Sequence, residues 1–244
     1  MMKMTGNTIL ITGGSSGIGM ELARQLAKDN IVIITGRDRT KLEAAGAELG
    51  DVHVVQSDAD DPKAIADLYE TLTREFPDLN VLVNNAGIMR KISLRDGADD
   101  LADVVREIGT NLNGPIRMVA QFLPHLKKQK SPAIVNVSSA AARLGSAGEY
   151  VDYAASKGAV DTFTVGLASE VAEEGIRVNA VRPGFIYTEM HASGGEPRRV
   201  DRVKELVPMK RGGSADEVAR AILWLLSDDA SFTTGSFVDV GGGR

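Results

Sequence analysis

Short apolar runs alternate with runs of helical period along the whole chain. The strand-like runs, rich in β-branched residues, lie at 8–12, 31–35, 52–56, 81–84, 133–137, 177–181 and 236–240. The runs of helical period lie at 17–28, 40–49, 62–76, 101–110, 115–128, 153–173 and 215–226. This alternation predicts an α/β fold whose parallel sheet has about seven strands, with helices on both faces. Because no linker, repeat or composition break interrupts it, we expect one doubly wound domain over residues 1–244.

The segments with candidate chemistry all follow predicted strands. They are 12–19, 84–87, 138–139 and 183–184. Ligands bind beyond the carboxyl ends of the strands in an open parallel sheet, so we expect these segments to meet at one edge. The longest irregular stretch, 189–213, also follows a strand, and we expect it to form a substrate lid with a short helix at 197–206.

The first motif is a glycine-rich turn between a strand and a helix. Its sequence, Thr-Gly-Gly-Ser-Ser-Gly-Ile-Gly at 12–19, has a TGxxxGxG spacing. Glycines let the backbone approach a pyrophosphate, and the helix that follows offers unpaired N–H groups and a positive dipole end. No Gly-Lys-Ser/Thr follows, which excludes a Walker-type loop. The residues expected at the dinucleotide are Gly13, Ser15, Ser16, Gly17, Ile18 and Gly19.

The second motif places Tyr153 and Lys157 one helical turn apart. Hydride transfer to a carbonyl leaves negative charge on oxygen, and a positioned acid must protonate or stabilise that oxygen. Tyr153 is the candidate acid. A phenol ordinarily titrates near 10, and a cation about 4 Å away is worth roughly 4 kcal/mol at an effective dielectric of 20. We therefore expect Lys157 to bring the pKa of Tyr153 close to the working range.

These motifs resemble the short-chain dehydrogenase/reductase family. The matching segments, in family order, are 12–19, 84–87, 111, 134–139, 153–157 and 182–184. The resemblance implies a Rossmann-type fold and an NAD(P)-dependent enzyme that interconverts a carbonyl and a secondary alcohol. It implies that Ser139 orients the carbonyl, that Asn111 anchors a relay water, and that Lys157 also holds the nicotinamide ribose. Ser138 and Asn113 are the alternatives for the serine and the asparagine.

The second predicted strand ends in Thr35-Gly36-Arg37-Asp38. Gly36 occupies the position where an NAD enzyme carries an acid, and a guanidinium at Arg37 can bind a 2′-phosphate. We therefore predict NADP(H), with NAD(H) as the alternative if Asp38 accepts a ribose hydroxyl. The basic residue frequent in the glycine turn of NADP members is missing, since Ser15 and Ser16 stand there.

The resemblance assigns further cofactor contacts. Asp58 resembles the aspartate that contacts adenine, although the acidic run at 58–61 also predicts a helix cap at position 60 or 61. Asn85 is expected either to line the ribose or to support the sheet. The other residues implied at the cofactor are Ala86, Gly87, Pro183, Gly184, Ile186 and Thr188.

Composition narrows the classes of partner. The net charge of −5 gives no case for nucleic acid or anionic lipid, and the chain has no cysteine, so thiolate metal ligands and disulfides are excluded. The three histidines are scattered, and we expect no metal. No leader or apolar segment long enough to span a bilayer is evident, so we expect a cytoplasmic enzyme.

The sequence constrains the substrate and the oligomeric state less than it constrains the fold and the cofactor. The resemblance permits 3-oxoacyl thioesters, sugars, steroids, diketones and small aldehydes, and it implies a homotetramer or homodimer. The lid cations, including Arg198 and Arg199, could attract an anionic acyl carrier or phosphate. We interpret them instead as a solvated helix face, so that changing Arg198 and Arg199 to Ala leaves small-ketone turnover intact. A non-catalytic cofactor-binding regulator and a nucleotide-sugar epimerase are the competing classes. The first is disfavoured because Tyr153 and Lys157 are both present, and the second because the chain lacks room for a larger substrate domain.

Overall fold

The structure is a computed structural model that describes residues 4–92 and 101–244. Its strands are β1 (Thr8–Thr12), β2 (Ile31–Gly36), β3 (His53–Gln56), β4 (Leu79–Asn84), β5 (Ala133–Val137), β6 (Arg177–Pro183) and β7 (Phe237–Val240). The seven strands form one sheet in the order β3-β2-β1-β4-β5-β6-β7, and all pairs are parallel. The predicted doubly wound parallel sheet is confirmed.

The helices connect successive strands and cover both faces of the sheet. They are α1 (Gly17–Leu26), α2 (Arg39–Leu49), α3 (Pro62–Glu75), α4 (Ala102–Ile108), α5 (Gly114–Leu126), α6 (Ala141–Leu144), α7 (Val151–Val171), α8 (Glu189–Ser193), α9 (Arg199–Val203) and α10 (Ala215–Leu226). The short α6 and α8 had no counterpart in the sequence pattern. The predicted lid helix at 197–206 is α9 followed by a 3₁₀ turn at Lys204–Leu206.

The core divides into two layers because side chains alternate across the strands. Ile9 and Ile11 of β1 face the layer that α1 and α10 complete, whereas Leu10 faces the layer of α3, α5 and α7. All three side chains are fully buried. Burying one such aliphatic side chain contributes about 1.5–3 kcal/mol, so both helical layers are held by the same strands.

Short polar caps fix where the helices at the sheet edge begin. The Asp38 carboxylate accepts the Lys41 N–H at 3.0 Å, and the Asp61 carboxylate accepts the Lys63 N–H at 2.8 Å. Such caps satisfy N–H groups that have no partner inside the helix. Asp61 is therefore the cap of α3, and the Asp58 carboxylate instead accepts the Asp60 N–H at 3.0 Å.

The predicted helix at 101–110 continues into α5 through a π-helical segment, Gly109–Asn113. Gly109 and Gly114 allow this path, since a Cβ on Gly109 would collide with the Asp60 carboxylate and one on Gly114 would lie 2.8 Å from the Ala59 carbonyl oxygen. π-Helical insertions are frequent at functional sites. This one places Asn111 on its inner side, fully buried.

Candidate active site

A cavity of about 620 Å³ opens at the carboxyl ends of the strands. The residues predicted from the sequence that line it are Gly13, Ser15, Ser16, Gly17, Ile18, Arg37, Asp58, Asn85, Ala86, Gly87, Ser139, Tyr153, Lys157, Pro183, Gly184, Ile186 and Thr188. Two predicted site residues, Gly19 and Asn111, do not line the cavity. The chain thus brings its motifs to the one edge that the sheet topology predicts.

The glycine turn lines the cavity with residues 13 and 15–18, which we call the glycine cradle. Gly13 and Gly17 have φ angles of +67° and +55°, a region that glycine occupies without strain. A Cβ on Gly13 would lie 2.8 Å from the Ala86 Cα, and one on Gly19 would lie 2.5 Å from the Gly13 carbonyl oxygen. Gly19 therefore packs the helix closely against the turn.

The first turn of α1 presents free backbone N–H groups to this cradle. The Ser16 side chain makes no capping hydrogen bond, and the first turn contains no acidic residue. An uncapped helix N-terminus carries partial positive charge and suits an anion. Together with the glycine cradle, this end of α1 fits the pyrophosphate of a dinucleotide.

Thr12 and Asn85 hold the glycine turn to the end of β4. The Thr12 hydroxyl oxygen accepts the N–H groups of Asn85 and Ala86, both at 3.0 Å. The Asn85 side-chain amide donates to the carbonyl oxygens of Thr12 and Gly13, both at 2.9 Å. The alternative predicted for Asn85, structural support, accounts for these bonds, because its amide nitrogen is committed to backbone oxygens.

The end of β2 brings two cations to the cavity. Arg37 and Lys41 both line it, and the Lys41 ammonium lies 3.6 Å from the Glu189 carboxylate. The Gln56 side chain donates to the Arg37 carbonyl oxygen at 2.9 Å and fixes the loop. Asp38 caps α2, so its carboxylate already has a backbone partner. Lys41 was not predicted at this cavity, although its place in the first turn of α2 is a usable signal.

Tyr153 and Lys157 lie in the first turns of α7 and are 7% and 4% exposed. The Lys157 ammonium donates to the Val137 carbonyl oxygen at 2.8 Å. It lies 5.8 Å from the centre of the Tyr153 ring. β5 therefore fixes the lysine, and the helical spacing sets the phenol beside it.

The two serines that follow β5 have different partners. The Ser138 hydroxyl donates to the Lys157 carbonyl oxygen at 3.2 Å, which ties the strand end to α7. The Ser139 hydroxyl interacts with the Tyr153 phenol and accepts the Ala141 N–H at 3.1 Å. The structure thus sets Ser139 beside the phenol and gives Ser138 the backbone-capping role.

Asn111 is held by the Ile88 backbone and the Ser156 side chain. Its side-chain oxygen accepts the Ile88 N–H at 2.8 Å, and its amide nitrogen donates to the Ile88 carbonyl oxygen at 2.8 Å and to the Ser156 hydroxyl at 3.2 Å. A Cβ on Gly87 would lie 3.3 Å from the Asn111 side-chain oxygen and 3.6 Å from the Lys157 ammonium. Because Gly87 has no Cβ, the Asn111 and Lys157 side chains can both approach its backbone.

Comparisons with known proteins agree with this geometry. The family model described as Enoyl-(Acyl carrier protein) reductase matches residues 13–244. The Uncharacterized oxidoreductase YgfF of Escherichia coli (strain K12) is 47% identical over 245 residues, which cover 96% of this chain and 98% of that protein. The 3-oxoacyl-[acyl-carrier-protein] reductase FabG of Aquifex aeolicus (strain VF5) is 35% identical, covering 99% of this chain and 98% of the relative. A solved short chain dehydrogenase/reductase family protein is similar with a TM-score of 0.85 and 37% identity, over 99% of both chains.

The chain belongs to the short-chain dehydrogenase/reductase family. It is an oxidoreductase with a Rossmann-type fold, and the family uses a nicotinamide dinucleotide. Within the described ranges 4–92 and 101–244, no helix is long and apolar enough to cross a membrane. The same residues contain no group of three or more histidines and carboxylates arranged to hold a metal ion.

Burial dominates the acid–base properties of Tyr153 and Lys157 in this short-chain dehydrogenase. It raises the pKa of Tyr153 to about 12, with Ser139 lowering the value and Glu107 raising it. Burial also lowers the pKa of Lys157 to about 8, which Glu107 and Asp161 partly oppose. The prediction that Lys157 brings the phenol close to neutrality is therefore wrong for the protein's own groups, because desolvation of the phenolate is the larger effect.

Segment 189–213 of this short-chain dehydrogenase carries a buried arginine that was predicted to face solvent. Arg199 is 7% exposed and lines the cavity. Its guanidinium carbon lies 4.0 Å from the centre of the Tyr150 ring and 5.3 Å from that of Phe185. The interpretation as a solvated face is wrong for Arg199, whereas Arg198 is exposed. Helical periodicity alone could not distinguish these neighbours, because α9 has fewer than two turns.

An ion-pair cluster joins segment 189–213 to the loop that precedes α7. Arg202 contacts Glu149 at 2.8 Å and Glu196 at 2.6 Å, and Arg199 contacts Glu149 at 3.4 Å. Hydrogen bonding to Arg202 lowers the pKa of Glu196. Two arginines and two carboxylates thus meet beside the cavity, where each neutralises charge on the others.

Proposed function

We propose that this short-chain dehydrogenase uses NADP(H) to interconvert a carbonyl and a secondary alcohol, with Tyr153 as the acid and base. The observation that carries the proposal is the placement of the Tyr153 phenol in the same cavity as the glycine cradle, with Ser139 beside it and Lys157 behind it. A phenol, a hydroxyl and an ammonium at one cavity wall suit general acid catalysis next to a dinucleotide.

We assign each part of the cofactor to a different group of residues around the cavity. We assign the pyrophosphate to the cradle of Gly13, Ser15, Ser16, Gly17 and Ile18, and the 2′-phosphate to Arg37 with Lys41. Asp58, Asn85, Ala86 and Gly87 are assigned to the adenosine half. Pro183, Gly184, Ile186 and Thr188 are assigned to the nicotinamide, with Lys157 at its ribose. The bound nicotinamide supplies or accepts the hydride.

The protein's own groups handle the proton. Ser139 donates a hydrogen bond to the carbonyl oxygen, and the Tyr153 hydroxyl gives its proton to the same oxygen as negative charge develops. Burial raises the pKa of Tyr153 to about 12, so the phenol carries its proton at neutral pH and can act as the acid in carbonyl reduction. The Lys157 ammonium stabilises the phenolate that remains.

Asn111 is proposed to serve the return of a proton to Tyr153. Its side-chain oxygen and the Lys157 ammonium flank the same point at Gly87, and Asn111 is fixed by the Ile88 backbone. A fixed polar group beside the lysine can hold a water that passes protons from solvent.

The preference for NADP(H) follows from charge at the end of β2. Arg37 and Lys41 line the cavity there, whereas the Asp38 carboxylate accepts a backbone N–H of α2. A 2′-phosphate gains from two cations, and a bidentate guanidinium contact suits its geometry. The alternative, NAD(H), requires the Asp38 carboxylate to serve a ribose hydroxyl as well as the helix cap.

We further propose that residues 189–213 act as the substrate lid and that the enzyme is a homotetramer. The lid proposal is supported by Arg199, which lines the cavity from α9 and packs on Tyr150.

The assembly proposal is supported by apolar side chains at the surface of the helices after β4. Leu101, Val105 and Ile116 are 55%, 69% and 39% exposed. Exposed apolar clusters of this kind mark protein interfaces.

The function is tested by following NADPH consumption against diketones, acetoacetyl thioesters, aldehydes and sugar ketones, with NADH in parallel. The acetoacetyl thioesters are included because FabG relatives are named 3-oxoacyl-[acyl-carrier-protein] reductases. We expect turnover of at least one ketone with NADPH and slower turnover with NADH. Equal or faster turnover with NADH contradicts the cofactor assignment. Binding of cofactor without turnover of any carbonyl contradicts the reductase assignment.

A further inference from the structure

A buried cation lies in the cavity that also contains Tyr153. Arg199 of α9 is almost fully buried, and its side chain and Tyr153 line the same cavity. The charge on Arg199 lowers the pKa of Tyr153, so the guanidinium is within electrostatic reach of the phenol. A substrate whose carbonyl reaches the phenol therefore lies in the space that this guanidinium faces.

Two aromatic rings fix the orientation of the Arg199 guanidinium. Its carbon lies 4.0 Å from the centre of the Tyr150 ring and 5.3 Å from the centre of the Phe185 ring. Tyr150 immediately precedes α7 and Phe185 follows β6, so both rings belong to the scaffold that carries the site. Stacking of this kind holds the planar group in place before a substrate binds.

The hydrogen-bond partners of Arg199 do not use all of its donors. A guanidinium carries several N–H donors in a rigid fork. One Nη donates to the Met89 thioether sulfur at 3.4 Å, which is a weak acceptor, and the other donates to the Glu149 carboxylate at 3.4 Å. The buried Nε makes no hydrogen bond within the described residues, and the Glu196 carboxylate lies 4.0 Å from it. A buried charge in this state is stabilised by a further acceptor.

The two neighbouring carboxylates bind Arg202 more closely than they bind Arg199. Glu149 and Glu196 lie 2.8 Å and 2.6 Å from the Arg202 guanidinium, but 3.4 Å and 4.0 Å from that of Arg199. Arg202 is exposed, whereas Arg199 is buried. The exposed arginine therefore neutralises both acids at close range, and the buried arginine retains unfilled donors at the cavity.

We propose that Arg199 binds a carboxylate of the substrate, so that the enzyme reduces oxo acids in preference to the corresponding neutral ketones. This inference rests on the proposed reduction of a carbonyl with Tyr153 as the acid. The planar fork of a guanidinium matches the two oxygens of one carboxylate. A phosphate dianion would require a second cation with open donors, and Arg202 already binds two carboxylates.

The reaction on such a substrate is that of the proposed function. The carbonyl carbon takes a hydride from NADPH, and the carbonyl oxygen takes the proton of Tyr153. The products are a hydroxy acid and NADP⁺, the carboxylate is unchanged, and Tyr153 regains a proton from solvent. Arg199 is thus a specificity-determining residue that holds the acid end of the substrate.

Pairs of acids and esters separate recognition of charge from general effects on the lid. The substrates are acetoacetate, 4-oxopentanoate and 5-oxohexanoate, each with its methyl ester, at saturating NADPH. We expect the wild type to show a higher kcat/KM for the acid by about tenfold or more at one chain length at least. Arg199→Gln is expected to abolish this preference, and Arg199→Lys to retain part of it. Because the ratio compares two substrates in one variant, a loss of positioning that affects both cancels.

A binding measurement tests the same contact without turnover. Calorimetry with pentanoate and pentanamide, in the presence of NADP⁺, compares a carboxylate with a neutral group of similar shape. We expect pentanoate to bind more tightly than pentanamide to the wild type, and this difference to disappear in Arg199→Gln. Arg198→Gln is the matched control for both experiments, because Arg198 is the exposed neighbour.

An acid preference that is lost in Arg199→Gln and kept in Arg198→Gln supports the proposal. An acid-to-ester ratio near or below one at every chain length in the wild type, or an unchanged ratio in Arg199→Gln, overturns it. If Arg199→Gln does not fold, tighter wild-type binding of pentanoate than of pentanamide supports the proposal, and equal affinities overturn it. Failure of the proposed function is distinguishable, because the binding of pentanoate requires no turnover.

Discussion

At the scale of single residues, the proposed preference for NADP(H) rests mainly on Arg37. Its guanidinium lines the cavity at the end of β2, with Lys41 nearby and the Asp38 carboxylate bound to the α2 backbone. Loss of a hydrogen bond to a charged group costs about 1.5–3 kcal/mol. Arg37→Ala is therefore expected to raise KM for NADPH by about tenfold or more, with little change for NADH.

The matched control for that substitution is Arg39→Ala, two residues along the chain. Arg39 is exposed, does not line the cavity and lies 3.9 Å from the Glu43 carboxylate. Steady-state kinetics with both cofactors give the comparison. Parallel losses for NADPH and NADH in Arg37→Ala would show that Arg37 does not recognise the 2′-phosphate.

The sequence predicted which residues surround the cavity better than it predicted their protonation. Strand ends and motif spacing brought seventeen predicted positions, from Gly13 to Thr188, to one wall. The sign of the shift at Tyr153 was wrong because burial of the phenol, unlike its spacing to Lys157, has no local sequence signal. Glu107 was missed for the same reason, since its surroundings come from α7 and the loop after β4.

At the scale of elements, the position of α9 in the proposed lid depends on the contacts of Arg199. The side chain packs on Tyr150 and Phe185, contacts Glu149, and its charge lowers the pKa of Tyr153. Arg199→Ala is expected to lower kcat/KM for small ketones by about tenfold to a hundredfold, since loss of positioning has effects of this size. This reverses the expectation drawn from the sequence, which treated the lid cations as solvated.

Arg198→Ala serves as the control for the lid, because Arg198 is the exposed neighbour on the preceding turn. We expect its kinetics to match the wild type. Steady-state assays with one small ketone decide between the two interpretations of the lid. Equal activity of both variants would restore the solvated-face interpretation.

Element boundaries were predictable where local chemistry sets them. Pro62 after Asp61, and Ser214 with Glu217 before α10, mark helix starts in the sequence, and the structure has caps at both. The π-helical segment at Gly109–Asn113 was not predictable. Its path is set by close packing of Gly109 and Gly114 on the loop after β3, which lies about fifty residues away in sequence.

At the scale of the whole molecule, strand–helix alternation predicted the parallel sheet, because crossover connections between parallel strands allow few arrangements. The oligomeric state cannot be predicted from the strand–helix alternation. Among the apolar residues of α4 and α5, Val119 is buried in the core, whereas Val105 and Ile116 are exposed. A surface of this kind is stabilised when a second copy covers it.

The tetramer proposal predicts a solution mass of four chains by light scattering. Val105→Asp, which places a charge on the exposed face of α4, is expected to lower that mass, because an unpaired charge opposes burial in an interface. A wild-type protein that is monomeric at all concentrations would contradict the proposal.

The central claim, that Tyr153 is the acid of a carbonyl reductase, is tested most directly by Tyr153→Phe. We predict loss of ketone reduction by about a thousandfold or more with NADPH affinity nearly unchanged, since only the proton donor is removed. Tyr69→Phe, which removes a hydroxyl from a ring packed on the core at Phe122, is the control and should retain activity. Ketone reduction by Tyr153→Phe at the wild-type rate would contradict the claim.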